Sequence, residues 1–294
     1  MAIDAGSTVP RRQLGRYLRQ LREEARITVK LASEELEWSA PKIWRIEGGA
    51  TSLRALDVEA MCRLYGAKED VTEALMGLAR ETKAKGWWHS YGDAIPTWFE
   101  LYVGLENAAN HLRQYEPELI PGLLQTEAYA REVFQLGHPD IGQAEIERAV
   151  AARMERQQIL TRNLPAAPHL DVVINEAALR RPLADRPSMA TQLLHIIRVA
   201  GLPNVSVRVL PLRSGLHRAV MAGGSFVILG FPDTGRVAGA EPTTVYSEKL
   251  TGSLYLDKPH EVDAHEALWA DLASKALDEA RSVKAISAIA KEYR

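Results

Sequence analysis

From Arg11 to about Glu81 apolar residues return at three- and four-residue intervals with little β-branched alternation, the pattern of short amphipathic helices. Leu14, Leu18 and Leu21 form the inner stripe of the first. Thr28 stands where an N-cap is required, ahead of a helix carrying Leu31, Ala32 and Glu35. After a short turn over Leu36–Trp38, Ser39 caps a second helix running from Ala40 to Glu47. Pro41 is tolerated in that helix because first-turn amides have no intrahelical partner, and Gly48–Gly49 ends it. Ile43 and Ile46 make its inner stripe. Helices from about Leu53 to Tyr65 and from Lys68 to about Lys83 complete a bundle of five.

Beyond the bundle the pattern changes. The stretch GWWHSYGDAIPTWFELYVGLE holds Trp87, Trp88, Tyr91, Trp98, Phe99 and Tyr102, six of the chain's 19 aromatic residues. No Lys or Arg lies between Trp87 and Tyr102 to hold a phosphate backbone, so the segment reads as a packing hinge, with Trp87 and Trp88 as candidate ligand or partner contacts. Strand-like runs follow at His169–Asn175, Val205–Pro211, Ser225–Gly230, Thr243–Ser247 and Ser253–Leu256. Helical stretches at Gln125–Leu136, Ala144–Thr161 and Met189–Ala200 separate them. The segment from Glu116-Pro117 to Pro121-Gly122 reads as a rigid turn, with Leu119, Ile120 and Leu124 in the core. Leu268, Leu272 and Leu277 mark a further helix, a break is expected at Arg281–Ser282, and Val283, Ile286 and Ile289 stripe the last helix. The predicted architecture is multi-domain, an all-α helix-turn-helix bundle followed by an α+β domain: residues 1–83, an aromatic-rich connector at 84–114, and residues 115–294.

With 294 residues, two domains match the usual size of about 150 residues each. Cys62 is the only cysteine, which excludes an intramolecular disulfide and a cysteine-based zinc site. The eight histidines are scattered, so neither metal nor cofactor is expected. No apolar run approaches the roughly 18 residues of a membrane span, and MAIDAGSTVPRR lacks a continuous apolar stretch. A cytoplasmic, nucleoid-associated protein without a membrane partner is the expectation. The net charge of −2 hides an asymmetry, with residues 1–65 at +2 and the rest at −4. Arg11, Arg12, Arg16, Arg19, Arg22, Arg26 and Lys30 face only Glu23 and Glu24 over their span, a local positive face or a plain solvated one.

The run TVKLASEELEWSAPKIWRIEGG, with caps at Thr28 and Ser39, resembles the helix-turn-helix of the phage-repressor-like (xenobiotic-response-element, XRE) regulators over about 70 residues. The departure is Glu37, where that family usually has glycine in the turn; a left-handed backbone there costs a non-glycine residue about 1 kcal/mol. The resemblance implies that Thr28, Ser39, Ala40, Lys42, Trp44 and Arg45 face double-stranded DNA, with Arg45 or Lys42 reading guanine. Thr28 would approach a phosphate, and Arg11, Arg12 and Arg16 are further phosphate-contact candidates. It also implies a buried Arg22–Glu47 ion pair and a homodimer. Ser39-Ala-Pro-Lys42 fits the S-x-x-K of serine acylases, but the S-D-N and K-T-G partner motifs are missing, as are nucleotide-binding and zinc-hydrolase motifs. An enzyme is therefore not expected.

YEPELIPGLLQTEAYAR (115–131), VVINEAALRR (172–181), VRVLP (207–211) and VYSEKLTGSLYLDKPHEV (245–262) resemble the uncharacterised C-terminal domain of actinobacterial helix-turn-helix regulators. That resemblance implies a small partner protein encoded nearby, in pairs described as antitoxin-like or developmental. Glu176 and Glu248, each following an expected strand, and His217, in a loop or hairpin, are candidate ligand or partner residues. Arg153, Arg156, Arg180 and Arg181 either oppose the two carboxylates at a site or tie helices to the sheet. Two functions are thus open: a transcriptional regulator or repressor whose second domain receives a partner protein or ligand, and an antitoxin-like module that sequesters a partner, with DNA binding secondary.

Overall fold

The computed structural model describes residues 8–49, 51, 53–81, 97–163, 165–222, 224–232, 241–249 and 252–293. Trp87 and Trp88 lie outside them. Two compact units form: one from the described residues of Met1–Ser90, Val103–Ala108 and Pro232–Glu241, the other from those of Tyr91–Tyr102, Ala109–Phe231 and Pro242–Arg294.

The first unit is the expected bundle of α1 (Thr8–Glu24), α2 (Val29–Glu35), α3 (Ala40–Glu47), α4 (Ala55–Leu64) and α5 (Glu69–Glu81). The stripes read from the sequence close on one core of Leu14, Leu18, Ala32, Ile43, Ile46, Val58, Met61, Cys62 and Leu75. Each large member contributes about 1.5–3 kcal/mol by leaving water. Gly15 lets α1 approach α3 closely: a Cβ there would lie 2.5 Å from the Ile46 carbonyl oxygen and 2.8 Å from that of Glu47. Only glycine fits that crossing.

After α6 (Thr97–Ala108) comes the α+β part: β1 (His111–Glu116), α7 (Glu127–Gly137), α8 (Gln143–Arg156), β2 (His169–Asn175), α9 (Glu176–Arg180), α10 (Arg186–Val199) and β3 (Val205–Leu210). It continues with α11 (Arg218–Ala222), β4 (Phe226–Gly230), β5 (Thr244–Lys249), β6 (Gly252–Leu256), α12 (Pro259–Lys275) and α13 (Glu279–Glu292). The six strands form one mixed sheet in the order β3-β2-β1-β4-β5-β6. The pairs β1–β2 and β2–β3 are parallel; β1–β4, β4–β5 and β5–β6 are antiparallel. Period-two alternation sends Tyr115, Phe226, Ile228 and Val245 into a core under Leu268 and Leu272 of α12. Gln114, Glu116, Val227, Tyr246 and Glu248 take the opposite face.

Three local expectations need correction. The central strand β1 lies where the sequence suggested connector and turn, because His111, Arg113, Gln114 and Glu116 mask its alternation. Their polarity is matched by partners: His111 Nε2 lies 2.7 Å from Asp171, Arg113 ion-pairs with Glu266, and the Gln114 amide donates to Glu116 at 2.9 Å. Leu119 is exposed, whereas Ile120 and Leu124 are core. The C-terminal break falls at residues 276–278, not at Arg281–Ser282, because the Asp278 carboxylate caps α13 by accepting from the Arg281 amide at 2.7 Å. Leu277 instead donates its amide to the Val209 carbonyl of β3 at 2.8 Å. Ser282 Oγ accepts from the Val209 amide at 2.9 Å, and Arg208 donates to the carbonyls of Ala273, Ala276 and Leu277.

Candidate nucleic-acid interface and effector pocket

The caps at the two inner helix starts are formed. Thr28 Oγ1 accepts from the Leu31 amide at 3.1 Å, and Ser39 Oγ accepts from the Lys42 amide at 3.3 Å. Between them Glu37 adopts φ 52°, the left-handed conformation the turn demands. Because a β-carbon is strained there, Glu37→Gly is expected to stabilise the bundle by about 0.5–1 kcal/mol. Calorimetric melting of the variant checks this; an unchanged or lowered midpoint counts against strain in the turn.

Helix α3 divides cleanly. Ile43 and Ile46 are buried, while Pro41, Trp44 and Arg45 are exposed, Trp44 to 61%. Ser39 and Thr28 are also exposed and Ala40 is half-buried, so the six candidate DNA contacts lie at the starts of α2 and α3 and along the outer side of α3. Lys42 is less free than expected, since its Nζ sits 3.4 Å over the Trp38 ring. Arg45 is the more available cation. Behind this surface Arg22 and Glu47 form the buried pair that the resemblance implied. Arg22 Nε donates to Glu47 Oε1 at 2.6 Å, Nη2 to Oε2 at 2.8 Å, and Nη1 to the Ile27 carbonyl at 2.9 Å. Hydrogen bonding to Glu47 raises the guanidinium's pKa. The same burial pushes up the nearby Tyr65 hydroxyl, and Glu47 adds to it.

The three arginines expected at phosphates are otherwise engaged. Arg11 is buried, Arg16 ion-pairs with the buried Glu241, and Arg12 Nε lies 3.8 Å from the same carboxylate. Arg12 and Arg16 are thus drawn to Glu241, which local charge counting does not reveal.

In the second unit Glu176, His217 and Glu248 are not brought together. Glu176 opens α9 and is a structural tie: it accepts from Arg180 at 2.7 Å and from the Leu212 amide at 3.0 Å. Burial pushes its carboxyl up, but these bonds hold it below the usual carboxylate value. Arg180 also reaches Glu292 at 2.9 Å, and Arg181 ion-pairs with Glu118. His217 precedes the short helix α11 rather than sitting in a hairpin. It is buried edge-on to Tyr115 on the apolar side of the sheet, and burial lowers its pKa.

Glu248 lies within β5, not after it, and it lines a pocket of about 180 Å³. Floor positions come from neighbouring strands: Gln114 and Glu116 of β1, Ser225 and Val227 at β4, Tyr246 and Glu248 of β5. The register Gln114–Val227–Tyr246 sets one row across three strands. Arg153 and Arg156, one turn apart on α8, supply cations above it. Arg153 Nη1 donates to Gln125 Oε1 at 2.6 Å, and its guanidinium lies 4.1 Å over the Phe134 ring. Arg156 lies over the rings of Phe99 and Tyr102, and Tyr102 packs on Tyr246 at 4.2 Å. A Cβ at Gly122 would stand 3.1 Å from Arg156 Nη1, a tight contact that the guanidinium would have to ease by a few tenths of an ångström. Burial pushes the Glu116 carboxyl up to about 7, with Glu248 adding to it against the Gln114 hydrogen bond. Tyr246 OH donates to Glu248 at 3.2 Å. Glu116 and Gln114 escaped the sequence reading because β1 did. The signal that could have found the pocket is the arginine pair at i and i+3.

Two capped helices meeting across a tight turn, with a closed apolar side and an open cationic one, define the helix-turn-helix class, that of DNA-binding regulators. Comparison agrees: residues 13–75 match the model of a helix-turn-helix domain. Residues 99–288 match the model of a domain of unknown function, DUF5753, and the chain belongs to that family. Searches among curated proteins and solved structures give no match.

Proposed function

We propose that this chain is a sequence-specific transcriptional regulator of the phage-repressor-like, actinobacterial type, acting as a homodimer on double-stranded DNA in the cytoplasm. The observation that carries this reading is the outer side of α3, where Trp44 and Arg45 stand exposed over buried Ile43 and Ile46. One such helix contacts only a few base pairs. Two-fold pairing would place two of them about 34 Å apart, one DNA turn. The second unit is the effector part, receiving a small ligand or partner protein, and the chain acts by binding rather than catalysis.

A titration of the purified protein against its own promoter region and a scrambled duplex, at several salt concentrations, tests the reading. If each subunit neutralises two or three phosphates, log affinity falls against log salt with a slope of about −4 to −5. Preference for the promoter with that slope supports the proposal; a salt-independent complex sinks it.

A second reading, an antitoxin-like module that mainly holds a small protein, is favoured by the exposed apolar side chains Leu216, Val220 and Met221 around α11. Co-purification of a neighbouring small gene product with the chain would favour it, and failure of the co-expressed pair to associate would count against it.

A further inference from the structure

Arg153 is the distinctive cation of the pocket beneath α8. Arg153 is held by a neutral amide oxygen and an aromatic face, and no carboxylate lies within ion-pairing distance of it among the described residues. Burial, and after it repulsion from Arg156, press on its charged form; Glu248 is the carboxylate that partly offsets this. A guanidinium in that position has its planar fork of donors set for a carboxylate, and an arriving anion lowers the cost of keeping the cation buried. Beside it Tyr102 and Tyr246, packed on each other at 4.2 Å, supply an aromatic wall of the pocket against which a flat apolar body can lie. The floor restricts the anion further. Glu116 and Glu248 would repel a phosphate dianion, whereas a single carboxylate aimed at the arginines leaves its body over the floor.

Resting on the reading of the second unit as an effector part, we propose that this pocket binds a small flat monocarboxylate, its carboxylate on Arg153 and Arg156 and its ring against Tyr102 and Tyr246. A benzoate-sized molecule matches the cavity of about 180 Å³.

The test uses the full chain without DNA, so that its failure is separate from any failure of the DNA-binding reading. Benzoate, benzamide and inorganic phosphate are titrated by calorimetry and ligand-observed NMR up to about 10 mM, some tenfold above the ~1 mM Kd typical of fragment-sized ligands. Benzoate is expected to bind, with benzamide and phosphate at least about tenfold weaker, the factor a charge-assisted hydrogen bond commands. Arg153→Met is expected to weaken benzoate by about tenfold or more. Glu116→Gln, which removes a repelling carboxylate, is expected to tighten it severalfold. If Arg153→Met does not fold, the Glu116→Gln shift decides. Absence of benzoate binding, equal binding of benzamide, tighter binding of phosphate, or indifference of a folded variant to its substitution would each overturn the proposal.

Discussion

Glu47→Ala is expected to destabilise the N-terminal bundle by about 3–5 kcal/mol, the range for removing one partner of a buried ion pair. The substitution leaves the buried Arg22 guanidinium between α1 and α3 with the Ile27 carbonyl accepting from it and only the exposed Glu23 carboxylate, 3.8 Å away, as a counter-charge. Since a domain of this size has a total stability of about 5–15 kcal/mol, much of the bundle's margin disappears and DNA binding goes with it. Urea unfolding followed by helical circular dichroism measures the loss. The paired change Arg22→Met with Glu47→Leu is expected to recover most of it, because apolar replacement removes the desolvation penalty along with the attraction. A single-variant loss below about 1 kcal/mol would mean that the pair behaves as a surface salt bridge.

Arg45→Glu is expected to act in the opposite way, abolishing specific DNA binding while leaving the thermal melt within about a degree of the parent. Arg45 is exposed in the last turn of α3. A base contact from such a position is worth about 1–3 kcal/mol, and reversing the charge adds repulsion from the phosphates, together at least about a hundredfold in affinity. Comparing duplex titrations with melting curves of the same preparation separates the two effects. An unchanged affinity would take Arg45 out of the interface, and a large loss of melting temperature would mean that its side chain packs in the bundle.

What could be read in the sequence divides by the range of the interactions involved. Thr28 and Ser39 were legible because an N-cap is settled within three residues, and the helices they start follow from apolar spacing. β2 was legible to the residue, since its Leu-Asp-Val-Val-Ile core is nearly continuous. β1 was not: its polar side chains are satisfied by Asp171 and Glu266, far away in the chain, so its own pattern under-reports its central place. The same distance hides the fate of Arg12 and Arg16, whose counter-charge is Glu241. Glu248 and the arginines of α8 could be named as ingredients. Their convergence with Glu116 required the register of β1, β4 and β5.

The attachment of Leu277 and Ser282 to β3 bears on how the second unit is assembled as it is made. β3 is an outermost strand, and its Val209 amide and carbonyl find their partners only in residues beyond 276. Until those residues leave the ribosome, the flank of the sheet offers unpaired hydrogen-bonding groups to any other extended chain. The delay is compounded at the centre, where β1 waits for β4, since His111 pairs with Gly230. Its parallel neighbour β2 must also arrive first by a long crossover. Nascent chains of this protein therefore pass through a stage in which the β3 edge is open, which ends only when residues 277–282 attach to it. That stage, rather than the finished fold, is where cellular chaperones have most to protect.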